Sequence, residues 1–224
     1  MQLTALLPMK GHSSRVPNKN FRPIAGRPLF EWILNTLIAA PFIDQVIINT
    51  DAADELRVSN LLTHAKVWLR DRPAELCGDE VSMNLIINDD LHSCDCEHFL
   101  MTHTTNPLIS VATLETAATQ YFAGCEANFD SLFSVNEFRS RFYTEDGEPL
   151  NHDPNNLIPT QDLTPWYEEN SWYYFFSTQS FRKTGARIGR RPQMHVTPKL
   201  ESCDIDEWDD WHLAERLLQG DKHS

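Results

Sequence analysis

Short apolar runs alternate with amphipathic stretches along the first 135 residues of this chain. In the first amphipathic stretch, apolar residues recur at helical spacing after Pro28, and proline suits the first turn of a helix. The apolar runs predict strands over Leu3–Leu7, Gln45–Asn49, Val67–Leu69, His98–Met101 and Ser131–Val135. The amphipathic stretches predict helices over Pro28–Ala40, Ala53–His64, Ser82–Leu91 and Val111–Phe122.

Strands that alternate with helices are typical of a parallel, doubly wound α/β sheet. In such sheets, ligands bind beyond the carboxyl ends of the strands, and the loop after Leu3–Leu7 lies at such an end. The 224 residues suit one large domain with a sizeable core. We therefore predict a single α/β domain over residues 1–224.

A polar, turn-rich segment interrupts the alternation after residue 135. It contains "EDGEPLNHDPNN", in which Asp146-Gly147 predicts a hairpin turn. We interpret residues 136–170 as an excursion from the sheet that serves as a lid or a dimer arm. Regular structure is predicted to resume at "SWYYFFS" and "QMHVTP", and to end in a helix from about Glu207 to Gln219.

The charge of the chain is strongly acidic, with 19 Lys and Arg against 32 Asp and Glu and a net charge of −13. This balance argues against binding to nucleic acid or to an anionic membrane, because both require a basic surface. Five cysteines without paired spacing are expected to be reduced thiols. The apolar run Leu3–Leu7 stops at Pro8 and is too short for a signal sequence, so we expect a cytoplasmic location.

The loop after the first predicted strand concentrates basic residues within this acidic chain. Its sequence, "LLPMKGHSSRVPNKN", contains Lys10, Arg15 and Lys19 with small residues between them. It matches neither the Walker A pattern nor the dinucleotide-binding loop. Gly11 and Ser13 would let backbone N–H groups approach a phosphate, and the cations would neutralise its charge. The pattern predicts a local anion site, and a solvated surface loop is the alternative.

The segment "SCDIDEWDDWHLAERL" places two carboxylates two residues apart. In an extended segment, Asp204 and Asp206 face the same side and can hold a magnesium ion that also binds water and substrate phosphates. Helix capping is the alternative for Asp206, but it gives no reason for Asp204. A glycosyltransferase with a D-x-D metal motif would share the aspartates, but it accounts poorly for the basic loop.

A third polar cluster, "MTHTTNPL", follows the fourth predicted strand. Polar residues at the carboxyl end of a strand are placed for a ligand, which makes His103 a candidate. Turn chemistry before Pro107 explains Asn106 well and His103 less well. The cluster therefore predicts a ligand contact at the end of this strand.

Several motifs together carry a family resemblance: "LLPMKGHSSRVPNKN…RPIAGRPLFEWIL", "NTD", "LRDRPAEL", "THTTNPL" and "DIDEWDDWHLAERLL". Their order and approximate spacing resemble the acylneuraminate cytidylyltransferases, the CMP-sialic acid synthetase family, which has the CMP-KDO synthetases as relatives. The resemblance covers almost the whole chain and is weakest between Asn136 and Thr160. It implies a Rossmann-like, mostly parallel sheet of the nucleotide-diphospho-sugar transferase type. It also implies CTP and a small acidic acceptor as substrates, Mg²⁺ as the cofactor and a homodimer.

The resemblance and the residues together assign roles to named positions. Catalytic roles fall on Lys10, Lys19 and Asp206. The nucleotide is assigned to Gly11, Ser13, Arg15, Asn20 and Arg72, where Arg72 matches an arginine that helps to read the cytosine. The acceptor is assigned to His103, Asn170 and Gln161, and the metal to Asp204 and Asp206.

The chain also departs from the family at several positions. His12 replaces a small residue of the loop, and His103 replaces a glutamine on the acceptor side. Thr160 and Glu168 stand where sialic-acid members carry arginines. We predict transfer of CMP from CTP to a sialic-acid-like 2-keto-3-deoxy sugar acid, with release of pyrophosphate. A phosphonate or another small acid is the alternative acceptor, and a non-catalytic nucleotide-binding homologue is the alternative function.

Overall fold

The computed structural model describes residues 2–220, so Met1 and residues 221–224 of the predicted domain lie outside the described residues. Seven strands of the described chain form one sheet, and two short strands, β2 and β3, form a separate hairpin. The strands are β1 (Leu3–Met9), β2 (Pro23–Ile24), β3 (Arg27–Pro28), β4 (Gln45–Thr50), β5 (Val67–Asp71), β6 (His98–Thr102), β7 (Ser131–Phe138), β8 (Trp166–Ser177) and β9 (Pro192–Val196).

Helices flank the sheet on both faces. Ser82, Ser110 and Ser177 precede three of them, and each hydroxyl oxygen accepts a hydrogen bond from a backbone N–H of the first helical turn. The helices are α1 (Leu29–Ala39), α2 (Ala53–Leu56), α3 (Met83–Ser93), α4 (Val111–Glu126), α5 (Thr178–Thr184) and α6 (Trp208–Gly220). Within residues 2–220, none of them is long and apolar enough to cross a membrane.

The strand order in the sheet is β5-β4-β1-β6-β8-β7-β9. The first four strands of this order pair in parallel, so their carboxyl ends lie at one edge of the sheet. β8 is antiparallel to both β6 and β7, whereas β9 pairs in parallel with β7. The mostly parallel α/β sheet is the predicted one, and its common edge brings together the loops after β1, β4, β5 and β6.

Strand β1 runs through the middle of the core, and all seven of its residues are buried. Leu7 and its odd-numbered neighbours pack against α1 and α4, whereas Leu6 packs against Ile87 of α3 and Phe181 of α5. A strand covered by helices on both faces has no polar side, which explains the continuous apolar run in its sequence. The sheet is therefore doubly wound, as predicted.

The helix predicted over Ala53–His64 is wrong in its extent. The α-helix ends at Leu56, and a separate 3-10 turn spans Asn60–Thr63. Ser59 begins that turn by accepting a hydrogen bond from the backbone N–H of Leu61 at 3.3 Å, and Val58 is 86% exposed. Serine and asparagine side chains compete for backbone hydrogen bonds in this way, so the apolar spacing did not extend the helix.

The excursion over residues 136–170 is built on two long strands of the sheet. β7 and β8 remain paired beyond the sheet from Val135↔Glu169 to Phe138↔Trp166, so both ends of the predicted excursion are strand. Gly147 has a φ of +83° in a turn closed by a hydrogen bond from its N–H to the Thr144 carbonyl, which confirms the hairpin turn. We call residues 136–170 the arm; its exposed large apolar residues are Phe138, Tyr143, Leu150, Leu157, Ile158, Trp166 and Tyr167.

Candidate active site

The basic loop after β1 is held against the loop after β4. The backbone N–H of Gly11 donates to Asp51 Oδ1 at 2.7 Å. A Cβ atom at Gly11 would lie 2.8 Å from Cβ of Ala52, closer than side-chain carbons approach, so this position requires glycine. The same residues line a cavity of about 690 Å³ beside the loop. The first residues of the loop therefore have a defined path over the edge of the sheet.

Asn20 links the loop after β1 to the loop after β6. Its Nδ2 donates to the Lys10 carbonyl at 2.7 Å, and its Oδ1 accepts from Thr104 Oγ1 at 2.6 Å. Both side chains are buried. Asn20, which is predicted to contact the nucleotide, therefore fixes the geometry of the loop. Ser13, predicted to do the same, is half-buried and makes no side-chain hydrogen bond within the described residues.

Each of the three predicted loop cations faces a carboxylate. Lys10 Nζ lies 3.1 Å from Asp79 Oδ1, on the segment after β5. Arg15 and Lys19 converge on one oxygen, Asp206 Oδ1, at 3.1 Å and 3.5 Å. Arg15 and Lys19 therefore share Asp206 as a partner, whereas Lys10 pairs with a different carboxylate, and the anion site stays a prediction.

Lys19 is more deeply placed than a surface lysine. Only 11% of its side chain is exposed, and Nζ donates to the backbone carbonyl of Ile205 at 2.5 Å. A lysine in this position contributes to the docking of the segment before α6 as well as to local charge.

Asp204 and Asp206 lie on the same face of an extended segment, as the spacing predicts. Ile205 between them is fully buried, and its N–H donates to the Thr105 carbonyl at 2.9 Å. Asp204 is exposed. Partial desolvation raises the pKa of its carboxyl, and the charge of Asp206 raises it further. A hydrogen bond with Thr105 and the charge of Lys19 oppose the rise. Like charges held close together in this way favour a bound cation.

Helix capping does not account for Asp206. The backbone N–H groups of Asp206 and Glu207 donate to Asp210 Oδ2 at 3.0 Å and 2.9 Å, so the capping carboxylate comes from inside α6. The Asp206 side chain faces the basic loop instead. Within residues 2–220 no group of three or more His, Cys, Asp or Glu side chains could hold a metal ion. Two carboxylates alone fit magnesium, which takes most of its ligands from water and substrate phosphates.

Arg72 lies beneath the edge of the sheet, with 7% of the residue exposed. Nε donates to Asn49 Oδ1 at 2.9 Å, and Nη2 donates to the carbonyls of Met9 at 3.0 Å and Asn49 at 2.7 Å. Burial lowers the pKa of the guanidinium, and the charges of Asp51, Cys77 and Asp90 oppose this. Nη1 is buried and has no hydrogen-bond partner within the described residues. Nη1 of Arg72, the residue predicted to contact cytosine, is therefore a fixed donor without an acceptor among the described residues.

His103, at the end of β6, is flanked by two cations. Burial, with the nearby charges of Arg187 and Lys19, lowers the pKa of its imidazole to about 4. The ring is therefore neutral at pH 7, and no hydrogen bond to it occurs among the described residues. Arg187 lies on the other side of the site, 3.9 Å above the Tyr174 ring, with Nη2 donating to the Tyr174 hydroxyl at 3.0 Å.

The other two acceptor candidates, Asn170 and Gln161, form hydrogen bonds with different residues of the described chain. Asn170 is buried between strands: Nδ2 donates to Asn136 Oδ1 at 3.1 Å and to Thr197 Oγ1 at 2.8 Å, and Oδ1 accepts from Ser134 Oγ at 2.6 Å. To contact a substrate, its amide would have to give up these bonds. Gln161 lies exposed on the arm in a 3-10 turn over Thr160–Asp162, and its carbonyl accepts from Arg139.

Sequence reasoning missed Asp90, Arg187 and Tyr174 at this site. Asp90 lies inside a helix and Arg187 in a loop that follows another, and neither belongs to a motif at the end of a strand. Their neighbour Asn49, in contrast, lies in a motif that the sequence analysis quoted, "NTD". Asp90 is fully buried, and its helical spacing from the apolar residues Ile86 and Ile87 is the signal that could have placed it on the buried face of α3.

Comparison with known proteins finds cytidylyltransferases. A family model described as cytidylyltransferase matches residues 4–201. Pseudaminic acid cytidylyltransferase of Campylobacter jejuni is 22% identical over 98% of this chain and 97% of its own length. N-acylneuraminate cytidylyltransferase of Oncorhynchus mykiss is 28% identical over 96% of this chain and 50% of its own length. The solved structure of CMP:2-keto-3-deoxy-manno-octonic acid synthetase complexed with CTP superimposes with a TM-score of 0.66 at 13% identity, covering 99% of this chain and 100% of that one.

The sheet, the basic loop at the carboxyl end of β1 and the matched family model define a nucleotidyltransferase. The chain belongs to the cytidylyltransferase family.

Proposed function

We propose that this protein transfers CMP from CTP to a sialic-acid-like 2-keto-3-deoxy sugar acid and releases pyrophosphate. The observation that carries the proposal is the convergence of Arg15 and Lys19 on Asp206 at the carboxyl end of β1. A cation pair and a carboxylate pair beside one strand end are the parts that nucleotidyl transfer from a magnesium–triphosphate requires. Family membership and relatives named for pseudaminic acid and N-acylneuraminate support the same reaction.

In this reaction a hydroxyl oxygen of the acceptor attacks the α-phosphorus of CTP. The bond between the α-phosphorus and the bridging oxygen breaks, pyrophosphate leaves with the bond electrons, and the hydroxyl gives up its proton. Lys10, Arg15 and Lys19 neutralise the charge that grows on the leaving phosphates. The triphosphate competes with Asp79 and Asp206 for these cations, so binding frees both carboxylates.

Magnesium would be held by Asp204 and Asp206 together with phosphate oxygens, and its chemistry is to withdraw charge from the phosphate under attack. If Arg15 and Lys19 bound phosphate, the carboxylate of Asp206 would be free to serve as a metal ligand. Metal binding and nucleotide binding would then depend on each other, because both involve Asp206.

The acceptor is assigned to the opposite side of the same edge, around His103. Burial is the main cause of the lowered pKa of His103, and Arg187 and Lys19 add a positive potential that lowers it further and that attracts the carboxylate of a sugar acid. A neutral imidazole can accept a hydrogen bond from the attacking hydroxyl. An acid bound beside it would raise the pKa of His103 toward the range in which it takes up the proton.

We also propose a homodimer formed through the arm, and a cytoplasmic location. The arm exposes a row of large apolar residues, and its aromatic rings Phe142 and Trp166 stack at 5.2 Å, which gives a preformed surface for a second copy. Sedimentation equilibrium across a range of protein concentrations tests this, because a monomer at all concentrations would exclude it.

A pyrophosphate-release assay tests the reaction. The protein is incubated with magnesium and each of CTP, UTP, ATP and GTP, and with sugar acids, phosphonates and neutral sugars as acceptors. We expect release only with CTP and a 2-keto-3-deoxy sugar acid. Release with phosphonates alone would reassign the acceptor, and CTP binding without any release would indicate a non-catalytic homologue.

A further inference from the structure

Buried polar side chains connect helix α3, through strand β4, to the residue that directly follows strand β5. Asn49 Nδ2 donates to Asp90 Oδ1 at 2.7 Å, and Arg72 Nε donates to Asn49 Oδ1 at 2.9 Å. Asn49 and Asp90 are fully buried, and Arg72 is 7% exposed. These three residues, the Arg72 relay, lie on separate elements, so only the tertiary fold brings them together.

The chemistry of the two end groups allows one orientation of the middle amide. A guanidinium can only donate hydrogen bonds, and an ionised carboxylate can only accept them. Asn49 must therefore point its oxygen at Arg72 and its nitrogen at Asp90. Arg70 also donates from Nη1 to Asp90 Oδ1 and pairs through Nη2 with Asp89 at 3.0 Å, which holds the carboxylate in place.

The relay leaves one nitrogen of Arg72 without a partner. Nε binds Asn49, and Nη2 binds two backbone carbonyls, so the guanidinium plane cannot rotate. Nη1 is buried and finds no acceptor within the described residues. Buried donors without acceptors are unfavourable, and an arginine held rigidly around such a donor is placed to receive an acceptor from a ligand.

We propose that Asn49 and Asp90 are positioning residues that aim Nη1 of Arg72 at the base of the bound nucleotide and thereby set the preference for CTP over UTP. The inference rests on the proposed function. Cytosine presents two neighbouring acceptors, O2 and N3, to such a donor. Uracil carries an N–H at N3, which cannot accept, so one hydrogen bond is lost and two donors face each other.

Equilibrium binding of CTP and UTP in the presence of magnesium tests the proposal without any acceptor. Asn49→Leu keeps the size of the side chain but removes the acceptor for Arg72 Nε, and we expect it to lower the ratio of CTP to UTP affinity about tenfold. The double variant Asn49→Asp with Asp90→Asn reverses the pair. The amide introduced at position 90 then donates to the carboxylate introduced at position 49, and that carboxylate still accepts from Arg72. The ratio should therefore return to within about threefold of the wild type.

Asp89→Asn is the matched control: Asp89 pairs with Arg70, and its Oδ2 accepts a second, longer hydrogen bond from Asn49 Nδ2 at 3.3 Å, so the variant removes the charge but keeps an oxygen that can accept. It should leave the CTP to UTP ratio unchanged. Asp90→Leu serves as the second disrupting variant if Asn49→Leu does not fold, since it removes the shorter of the two hydrogen bonds that the Asn49 amide donates, the one to Asp90 Oδ1 at 2.7 Å. Melting temperature is recorded for every variant, because a purely structural role would change stability without changing the ratio.

The outcomes separate the relay from the proposed function. A wild-type protein that binds no CTP contradicts the proposed function itself. A wild type that prefers CTP, with folded Asn49→Leu or Asp90→Leu keeping the same ratio, overturns the relay alone. Failure of the reversed pair to restore the ratio also overturns it, as does a control that changes the ratio as much as the disrupting variants.

Discussion

The two halves of the sheet differ in strand direction and in what their ends carry. In the parallel half, β5, β4, β1 and β6 end at one edge, and the loops that follow hold Lys19, Arg72 and His103. In the other half, β8 runs antiparallel to both of its neighbours, and β7 and β8 continue past the sheet into the arm. Parallel strands all end at the same edge of a sheet, so the loops that follow them lie side by side there. An antiparallel pair can instead continue past that edge as a two-stranded ribbon.

The difference separates the tasks of the proposed enzyme. Short polar loops on a rigid parallel sheet position groups for the triphosphate and base. The antiparallel half contributes aromatic residues, the Arg187–Tyr174 pair and a projecting surface. We therefore expect changes in the parallel half to affect CTP, with His103 after the border strand β6 as the exception, and changes in the antiparallel half to affect the acceptor or assembly.

The largest effect is expected for Asp206→Asn. The change removes the charge of a proposed metal ligand and of the partner of Arg15 and Lys19, and turnover should fall by about 100-fold or more. Pyrophosphate release across a magnesium titration measures it, together with circular dichroism for the fold. Asp209→Asn, an exposed residue in the first turn of α6, is the control and should retain turnover. Normal turnover of Asp206→Asn at all magnesium concentrations would show the metal assignment to be wrong.

Lys19→Ala should lower kcat/KM for CTP by about 10- to 50-fold, because a charge-assisted contact to the leaving phosphates is lost. The acceptor KM should rise by a smaller factor, because Arg187 still supplies positive charge beside His103. Since Lys19 also donates to the Ile205 carbonyl, we expect unfolding free energy to fall by about 1 kcal/mol, measured by urea titration. Lys183→Ala, exposed on α5, is the control. A large loss of stability with unchanged kcat/KM would make Lys19 structural.

Arg187→Gln tests the other half. We expect the acceptor KM to rise by about tenfold while CTP affinity stays within about twofold, because the positive charge beside His103 is lost. Arg190→Gln, exposed three positions further along, is the control. The comparison between the halves would be broken if Arg187→Gln weakened CTP and acceptor equally.

The smallest effect concerns the pH dependence of stability. Burial raises the pKa of Asp90 to about 6 from its usual 3.8. A carboxyl group whose pKa is higher in the folded state than in the unfolded state stabilises the fold at pH values below its unfolded pKa, and this contribution is lost as the pH rises through 6. Asp90 should therefore raise the free energy of unfolding by about 1 kcal/mol when the pH is lowered from 7 to 5. Asp90→Asn should lack this gain. Urea unfolding at both pH values measures it, with Asp89→Asn as the control, and equal gains in wild type and Asp90→Asn would contradict the assignment.

Much of the parallel half was predictable because its signals are local. Every predicted strand exists, since continuous apolar runs have few alternatives once helices cover both faces of a sheet. The helix over Ala53–His64 failed where Ser59 redirected the backbone. The arm was located by its polar composition, but its first and last residues proved to be strand, because pairing between β7 and β8 outweighs polar sequence there.

The properties of the site likewise divide into those with a local sequence signal and those that depend on tertiary packing. By itself, the sequence determined which residues carry charge, that they follow strand ends, and that Asp204 and Asp206 share a face across the buried Ile205. These properties depend on spacing within a few residues. Only the tertiary structure decided that Asp206 meets Arg15 and Lys19, that Asn170 is saturated by neighbouring strands, and that Asp90 reaches Arg72 through Asn49. Those contacts join residues from separate elements, and no local pattern encodes the packing that brings them within hydrogen-bond distance.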